Sequence, residues 1–335
     1  MNSKDTSFMK IAIDEALKGR SSVYPNPRVG AIVVYKDEII STGYHENFGG
    51  PHAEEIAIKN ITDTITDATL YVTLEPCIHQ GKTDPCVQLI DSNIFSRIVI
   101  GTRDPNQTAG GGIEKLREMG FQVDVDICSY ECKKINRRFF TFHEKKRPYI
   151  ILKIASTLDG FIAQPDGISK WITNEFSRDS VHELRATCDA ILVGNGTIEK
   201  DDPDLSSHGK GKDPRIILFA SETITDSGAR VLTKNPIIFT EKNLSDNSEK
   251  NIHHILNSLY ERSFQTLLVE GGGITFTHFL KSEIFDELHI YFAPKMIGTG
   301  LPFYKHKRIL TDDSALTIHK IKKFKNDIKI IYHKE

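Results

Sequence analysis

One histidine, two cysteines and a glutamate carry the densest chemistry in this chain. They lie in two short stretches, His52-Ala53-Glu54 and the run from Glu75-Pro76-Cys77 to Pro85-Cys86. One imidazole and two thiolates are the protein ligands of a catalytic zinc site, which keeps its fourth position for water. Zinc lowers the pKa of bound water from about 15.7 to about 7, making hydroxide available at neutral pH. His52, Cys77 and Cys86 are therefore read as ligands to one Zn2+ per chain. Glu54 is read as the proton shuttle between that water and a leaving amine. The competing reading is a closed structural zinc, which needs a fourth protein ligand; His79 is the candidate for it.

Spacing constrains the elements that must hold these groups. Residues two apart on a helix do not share a face. His52 and Glu54 can meet at one site only at a helix start, behind Pro51. Pro76 and Pro85 each precede a cysteine, which predicts a helix opening at both. A cysteine at a helix N-terminus is more easily held as thiolate.

The order H-x-E followed by P-C matches the signature of zinc-dependent nucleobase deaminases. Here the second cysteine follows nine positions after the first, at 86 against 77. This longer form, PC-x-H-x-G-x-T-x-x-C, resembles one family, the bifunctional deaminase–reductase of riboflavin biosynthesis. The resemblance implies that His45, His79 and Lys82 contact a ribotide substrate. Asn26, in a PNPxVG motif of that family, would meet the pyrimidine. Read alone, a loop asparagine such as Asn26 is more often a turn residue. Asp84 stands where the family usually has proline.

The chain has 335 residues, which predicts two domains. Hydrophobic residues make up 39% and charged residues 26%, as in ordinary globular proteins. No apolar run is long enough to span a bilayer. Acidic residues near the N-terminus argue against a signal peptide, so a cytoplasmic location is expected. A net charge of −2 weighs against a polynucleotide partner, because phosphate contacts call for a basic face. Two of the five cysteines are assigned to zinc. Cys128 and Cys132, four apart, could form a metal pair but read better, with Cys188, as small buried apolar residues.

Helical spacing of apolar residues predicts a helix over about 5–19, ended by Gly19. Val29–Tyr35 and Glu38–Tyr44 read as a hairpin across Lys36-Asp37. A helix begins at His52, and a short strand at Leu70–Leu74 delivers the first cysteine. Val87–Ile90 continues a helix. Ile98–Ile100 is a strand, Ile113–Met119 a helix and Phe121–Val125 a strand. This alternation indicates an α/β layer fold. It agrees with the three-layer cytidine-deaminase-like domain that the resemblance implies. A single helix is expected over Tyr130–Phe142, then a charged run ending in Pro148 that marks the boundary. The expected domains are 1–146 and 147–335.

The pattern then restarts with a central strand at Tyr149–Ala155. A turn leads into Phe161–Ala163. A helix runs from Thr173-Asn174 to about Thr187, followed by a strand at Ala190–Gly194 and a helix capped by Asn195-Gly196-Thr197. Strands are expected at 215–219, 236–240 and 266–270, with a closing antiparallel pair at Phe285–Ala293 and Ile328–Tyr332. The stretch Leu267–Phe276 is a strand, three glycines and a helix, a weak signal for phosphate binding. Together with Leu152–Gly160, Trp171-Ile172-Thr173 and Thr197–Pro203, it is similar to the reductase half of the same family. That half implies a dihydrofolate-reductase-like domain using NADPH.

By the same resemblance, Ser156, Trp171, Thr197, Asp201, Ser221, Gly272, Gly273, Ile274, Thr275 and Phe276 match NADPH-contacting positions. Ser169, Arg185, Leu205 and Glu270 match substrate positions. Lys153 would sit near the sugar carbon that receives hydride, with Glu270 beside it in the catalytic set. Arg185 suits a ribose phosphate; read alone it is a surface salt bridge. His208 replaces a family arginine, and Lys210 is its candidate substitute. The implied activity is zinc-dependent hydrolytic deamination of a pyrimidine ribotide, then NADPH-dependent reduction of its ribosyl group. Rival readings are a nucleic-acid base deaminase with a recognition domain, and a non-enzymatic zinc-stabilised binding module. The substrate is a small molecule, with neither nucleic acid nor membrane as partner, and a homo-oligomer is compatible with the sequence.

Overall fold

A computed structural model describes residues 3–81, 83–170, 172–220, 228–240, 248–305 and 316–334. Lys82, Trp171 and Ser221 lie outside the described residues. The chain forms two compact units, Met1–Lys145 and Lys146–Glu335. No helix among the described residues is long and apolar enough to cross a membrane.

In the first unit α1 (Ser3–Lys18) precedes the hairpin of β1 (Gly30–Tyr35) and β2 (Glu38–Tyr44). Lys36 and Asp37 both take positive φ, the two-residue turn whose twist suits a hairpin. Then follow α2 (Ala53–Lys59), β3 (Ala68–Val72), α3 (Cys86–Leu89), β4 (Phe95–Ile100), α4 (Gly112–Glu118), β5 (Gln122–Asp124), α5 (Ser129–Ile135) and α6 (Arg137–Lys145). The sheet order is β2-β1-β3-β4-β5, with β3, β4 and β5 parallel.

Alternate residues of β1 serve two cores. Ala31 and Val33 join α2, α3 and α4 through Ala53, Val87 and Ile113, while Ile32 and Val34 meet Met9 and Ile13 of α1. Helices therefore cover both faces, which is the three-layer arrangement expected. Gly43 lets α2 lie against the sheet, since a Cβ there would stand 2.4 Å from the Ala53 carbonyl oxygen. That close approach fixes the helix that carries Glu54.

The helix expected over Tyr130–Phe142 is instead two. It breaks at Asn136, whose side chain bonds the backbone of Arg28 rather than continuing the helical face. Cys132 is a core residue under α1 and Cys128 precedes α5; neither joins a metal-type cluster among the described residues.

The second unit contains β6 (Tyr149–Thr157), β7 (Phe161–Ala163), α7 (Glu175–Ala186), β8 (Ala190–Gly194), α8 (Asn195–Asp201), β9 (Arg215–Ala220) and β10 (Ile237–Thr240). It continues through α9 (Ser248–Glu261), β11 (Thr266–Val269), α10 (Gly273–Ser282), β12 (Glu287–Ala293), β13 (Leu301–Pro302), β14 (Leu316–Phe324) and β15 (Asp327–Lys334). Its main sheet has the order β10-β9-β8-β11-β6-β12-β15-β14. The first six strands run parallel, β15 pairs antiparallel with β12, and β14 pairs antiparallel with β15. Ile150, Leu152 and Ile154 face α9 and α10, while Tyr149 and Ile151 face the side of α7 and α8.

Sequence reading did not anticipate β14 or α9. In β14 the apolar residues Ile318 and Ile321 are exposed, so they advertise no buried face. Gly194, not Asn195, is the N-cap of α8.

Candidate active sites

His52 is the N-cap of α2, with extended backbone, and Glu54 is the second helical residue. This half-in position lets two side chains two residues apart converge. Pro85 is the N-cap of α3, so Cys86 opens that helix as expected. Cys77 does not open a helix; it lies in the loop after β3. Its sulfur instead receives the Cys86 backbone N–H at 3.5 Å. The helix start thus serves both sulfurs.

His52 Nδ1 lies 3.1 Å from Cys86 Sγ and 3.6 Å from Cys77 Sγ. Tetrahedral zinc with its usual bond lengths spaces such atoms about 3.5–3.8 Å apart. The three ligand atoms all fall within 4.8 Å of one another, and among the described residues no fourth ligand joins them. The donor set fits Zn2+ with an open corner.

The thiols titrate as a pair. Hydrogen bonding from Cys86 holds Cys77 well below the ordinary thiol range, with His52 assisting, and the same interaction pushes Cys86 up. A divalent cation would release both protons. His52 is raised, chiefly by its bond to Cys77. Glu54 is buried, and burial pushes its carboxyl up against the opposing pull of His52.

His52, Cys77 and Glu54 line a cavity of about 300 Å³, together with Asn26, His45 and His79. Asn26 Nδ2 is 3.2 Å from His45 Nε2, and His45 Nδ1 is 2.9 Å from the Pro51 carbonyl. Burial lowers the His45 pKa, favouring the neutral ring. His79 Nδ1 is buried with no hydrogen-bond partner. Asp84 accepts from Gln80 on the exposed loop, and its side chain takes no part in the ligand set.

The cavity also holds residues that sequence reasoning missed: Glu75, Asp104, Asn106, Phe48 and Phe139. Glu75 accepts the backbone N–H groups of Asp104, Gly111 and Ile113 at 2.9–3.1 Å, tying the loop after β3 to the loop after β4 and to the start of α4. Burial pushes Asp104 up to about 7, with Glu75 and Cys77 adding to the rise. An Asp-Pro-Asn run just behind a strand was the available signal.

In the second unit a cavity of about 920 Å³ opens at the carboxyl ends of β6, β8 and β11. That is where parallel sheets bind ligands. Lys153, Ser169, Arg185 and Glu270 line it, as do Thr197 and Asp201. So do Gly272, Gly273, Ile274, Thr275 and Phe276. Gly271 cannot carry a Cβ, which would meet Thr275 at 2.6 Å, so the glycine turn packs directly on α10. Asp201 takes the Ser169 hydroxyl on one oxygen at 2.6 Å, while its other oxygen is buried without a partner. An open glycine turn at a helix start and an orphan acceptor suit a phosphorylated, hydroxyl-rich cofactor such as NADPH.

Three expected residues are not brought to this cavity. Ser156 is fully buried and donates to the Thr157 carbonyl. Leu205 belongs to the core beneath α7 and α8. His208 stacks on His182, which does line the cavity, at 4.0 Å. Lys210 is paired with Asp179.

Arg185 is no surface pair. Its guanidinium grips Glu270 with two bonds of 2.8 and 3.1 Å, and Lys153 reaches the same carboxylate at 3.4 Å. Burial alone would raise Glu270, but the two cations hold it down at about 2.

Residues 2–102 match the cytidine and deoxycytidylate deaminase zinc-binding region, and residues 148–330 match the RibD C-terminal domain. The riboflavin biosynthesis protein RibD of Aquifex aeolicus is 42% identical over 316 residues, covering 89% of each chain. That of Bacillus amyloliquefaciens is 38% identical over 88% of this chain and 85% of its own. A crystal structure from Thermotoga maritima, of a diaminohydroxyphosphoribosylaminopyrimidine deaminase/5-amino-6-(5-phosphoribosylamino)uracil reductase, superposes with a TM-score of 0.82 at 38% identity, covering 99% of both chains. These likenesses favour neither a polynucleotide-base deaminase nor a non-enzymatic zinc module. Matched at this level through both halves, the chain belongs to the RibD family of riboflavin biosynthesis, enzymes that join a zinc-dependent deaminase to an NADPH-dependent reductase.

Proposed function

We propose that the chain performs two consecutive steps on one pyrimidine ribotide, the deamination and the reduction for which the Thermotoga maritima protein is named. The observation that carries the reading is the convergence of His52, Cys77 and Cys86 beside a buried Glu54 in a cavity sized for a heterocycle. His52, Cys77 and Cys86 would hold zinc, which lowers the pKa of the attacking water to about 7. Glu54 takes that water's proton and returns it to the departing amine, so one C–N bond breaks and a carbonyl forms. The raised carboxyl of Glu54 suits both roles. Asn26 and His45 orient the pyrimidine, and His79 and Lys82 would contact its ribosyl phosphate.

In the second cavity the glycine turn before α10, Thr197 and Asp201 seat NADPH, which supplies the hydride. Lys153 stands near the sugar carbon that accepts it. Glu270 and Arg185 hold Lys153 and the opened sugar in register. Unpaired thiol ligands and NADPH both belong to a reducing compartment, which supports a cytoplasmic setting.

The test supplies the diaminopyrimidine ribotide to the zinc-loaded chain and follows ammonia release and NADPH oxidation separately. Ammonia first, then one NADPH oxidised per ammonia, is the expected course. NADPH oxidation without any ammonia would sink the reading.

A further inference from the structure

We propose that Asn136 is a positioning residue for the deaminase site, clamping the backbone of the 24–29 loop so that Asn26 meets the pyrimidine correctly. The inference rests on the role given to Asn26 above. Pro25 and Pro27 have no amide hydrogen, so between residues 25 and 28 only Asn26 and Arg28 can donate from the main chain. The Asn26 N–H goes to the Val23 carbonyl at 2.9 Å. The Arg28 N–H goes to Asn136 Oδ1 at 2.8 Å, and Asn136 Nδ2 returns a bond to the Arg28 carbonyl at 2.8 Å. One of those two donors is therefore fixed by a residue 108 positions away.

The clamp is built rather than incidental. Asn136 is 7% exposed and stands at the break between α5 and α6. The helix is interrupted at the residue whose side-chain amide reaches the loop. Both neighbours of Arg28, Pro27 and Val29, line the cavity, and so does Phe139, three residues after Asn136. From Asn26 the contact runs to His45 and on to the Pro51 carbonyl, next to His52. Only an amide offers one donor and one acceptor in this arrangement. Aspartate would set an oxygen against the Arg28 carbonyl, and alanine would leave both backbone groups unpaired. Misplacement by 1 Å near a reacting centre costs about 100-fold in rate.

The test uses the full zinc-loaded chain. Asn136→Ala and Asn136→Asp should each lower kcat/KM for ammonia release about 100-fold. Bound zinc should be unchanged, as should NADPH oxidation on the deaminated intermediate by the same polypeptide. The deciding measurement combines each variant with Asn26→Ala. If Asn136 acts through Asn26, the second substitution adds less than about threefold to the loss from the first. Losses that multiply, loss of zinc by both variants, or a fully active Asn136→Asp enzyme would each overturn the proposal. Should only the alanine variant lose zinc, the aspartate cycle decides alone. A wild-type chain releasing no ammonia would defeat the functional reading instead, and is measured first.

Discussion

Glu54 and Glu270 are both buried glutamates lining a cavity, yet their surroundings drive them in opposite directions. At Glu54 burial outweighs the opposing pull of His52, and its carboxyl rises. Glu270 has Arg185 at 2.8 Å and Lys153 at 3.4 Å, and the cations win. A raised carboxyl suits the proton-exchanging role proposed for the first, while the second stays ionised as a fixed counter-charge. The same contrast extends to the sites. The front site gathers thiols and an imidazole whose charge balance needs a metal ion from outside the chain. The rear site pairs its Glu270 carboxylate with the chain's own Arg185 and Lys153.

The contrast breaks most sharply at Glu54. Glu54→Gln keeps the shape but cannot shuttle protons, so ammonia release should fall about 10⁴-fold, roughly 5.5 kcal/mol. Zinc content and NADPH oxidation on the deaminated intermediate should stay at wild-type levels. A variant that still releases ammonia at a tenth of the normal rate would remove Glu54 from the mechanism.

The next effect falls on the rear site. Arg185→Leu leaves Glu270 buried with Lys153 alone, which should destabilise the second unit by about 4 kcal/mol. Denaturant unfolding followed by probes in that unit measures it. By comparison, Arg103→Leu breaks an exposed pair with Glu114 and should cost less than about 1 kcal/mol. Equal losses from the two substitutions would contradict the buried-pair account.

The third effect is a pH dependence. Glu270 falls from an ordinary value of 4.5 to about 2 on folding. A depressed carboxylate stabilises the fold fully above its unfolded pKa and loses that contribution as pH falls. Between pH 4.5 and 2 the loss should approach roughly 3 kcal/mol. Arg185→Leu should flatten this part of the stability profile. An unchanged slope in the variant would show that other carboxylates govern it.

Local pattern alone singled out His52, Cys77, Cys86 and Glu54, the hairpin and the strand–glycine–helix passage at 267–276. Each is short-range: proline and glycine set backbone angles, and apolar period reports which face is buried. The helix expected over 130–142 looked continuous for the same reason, because nothing within that window announces a bond to Arg28. Tertiary structure decided what depends on distant partners. It brought Asn136 to a loop 108 residues back and Arg185 to Glu270 across 85. It also gathered Glu75 and Asp104 around the front cavity. Residue type fixes which charges and donors a chain owns, but their pKa values and roles depend on burial and neighbours, which exist only once the chain has folded.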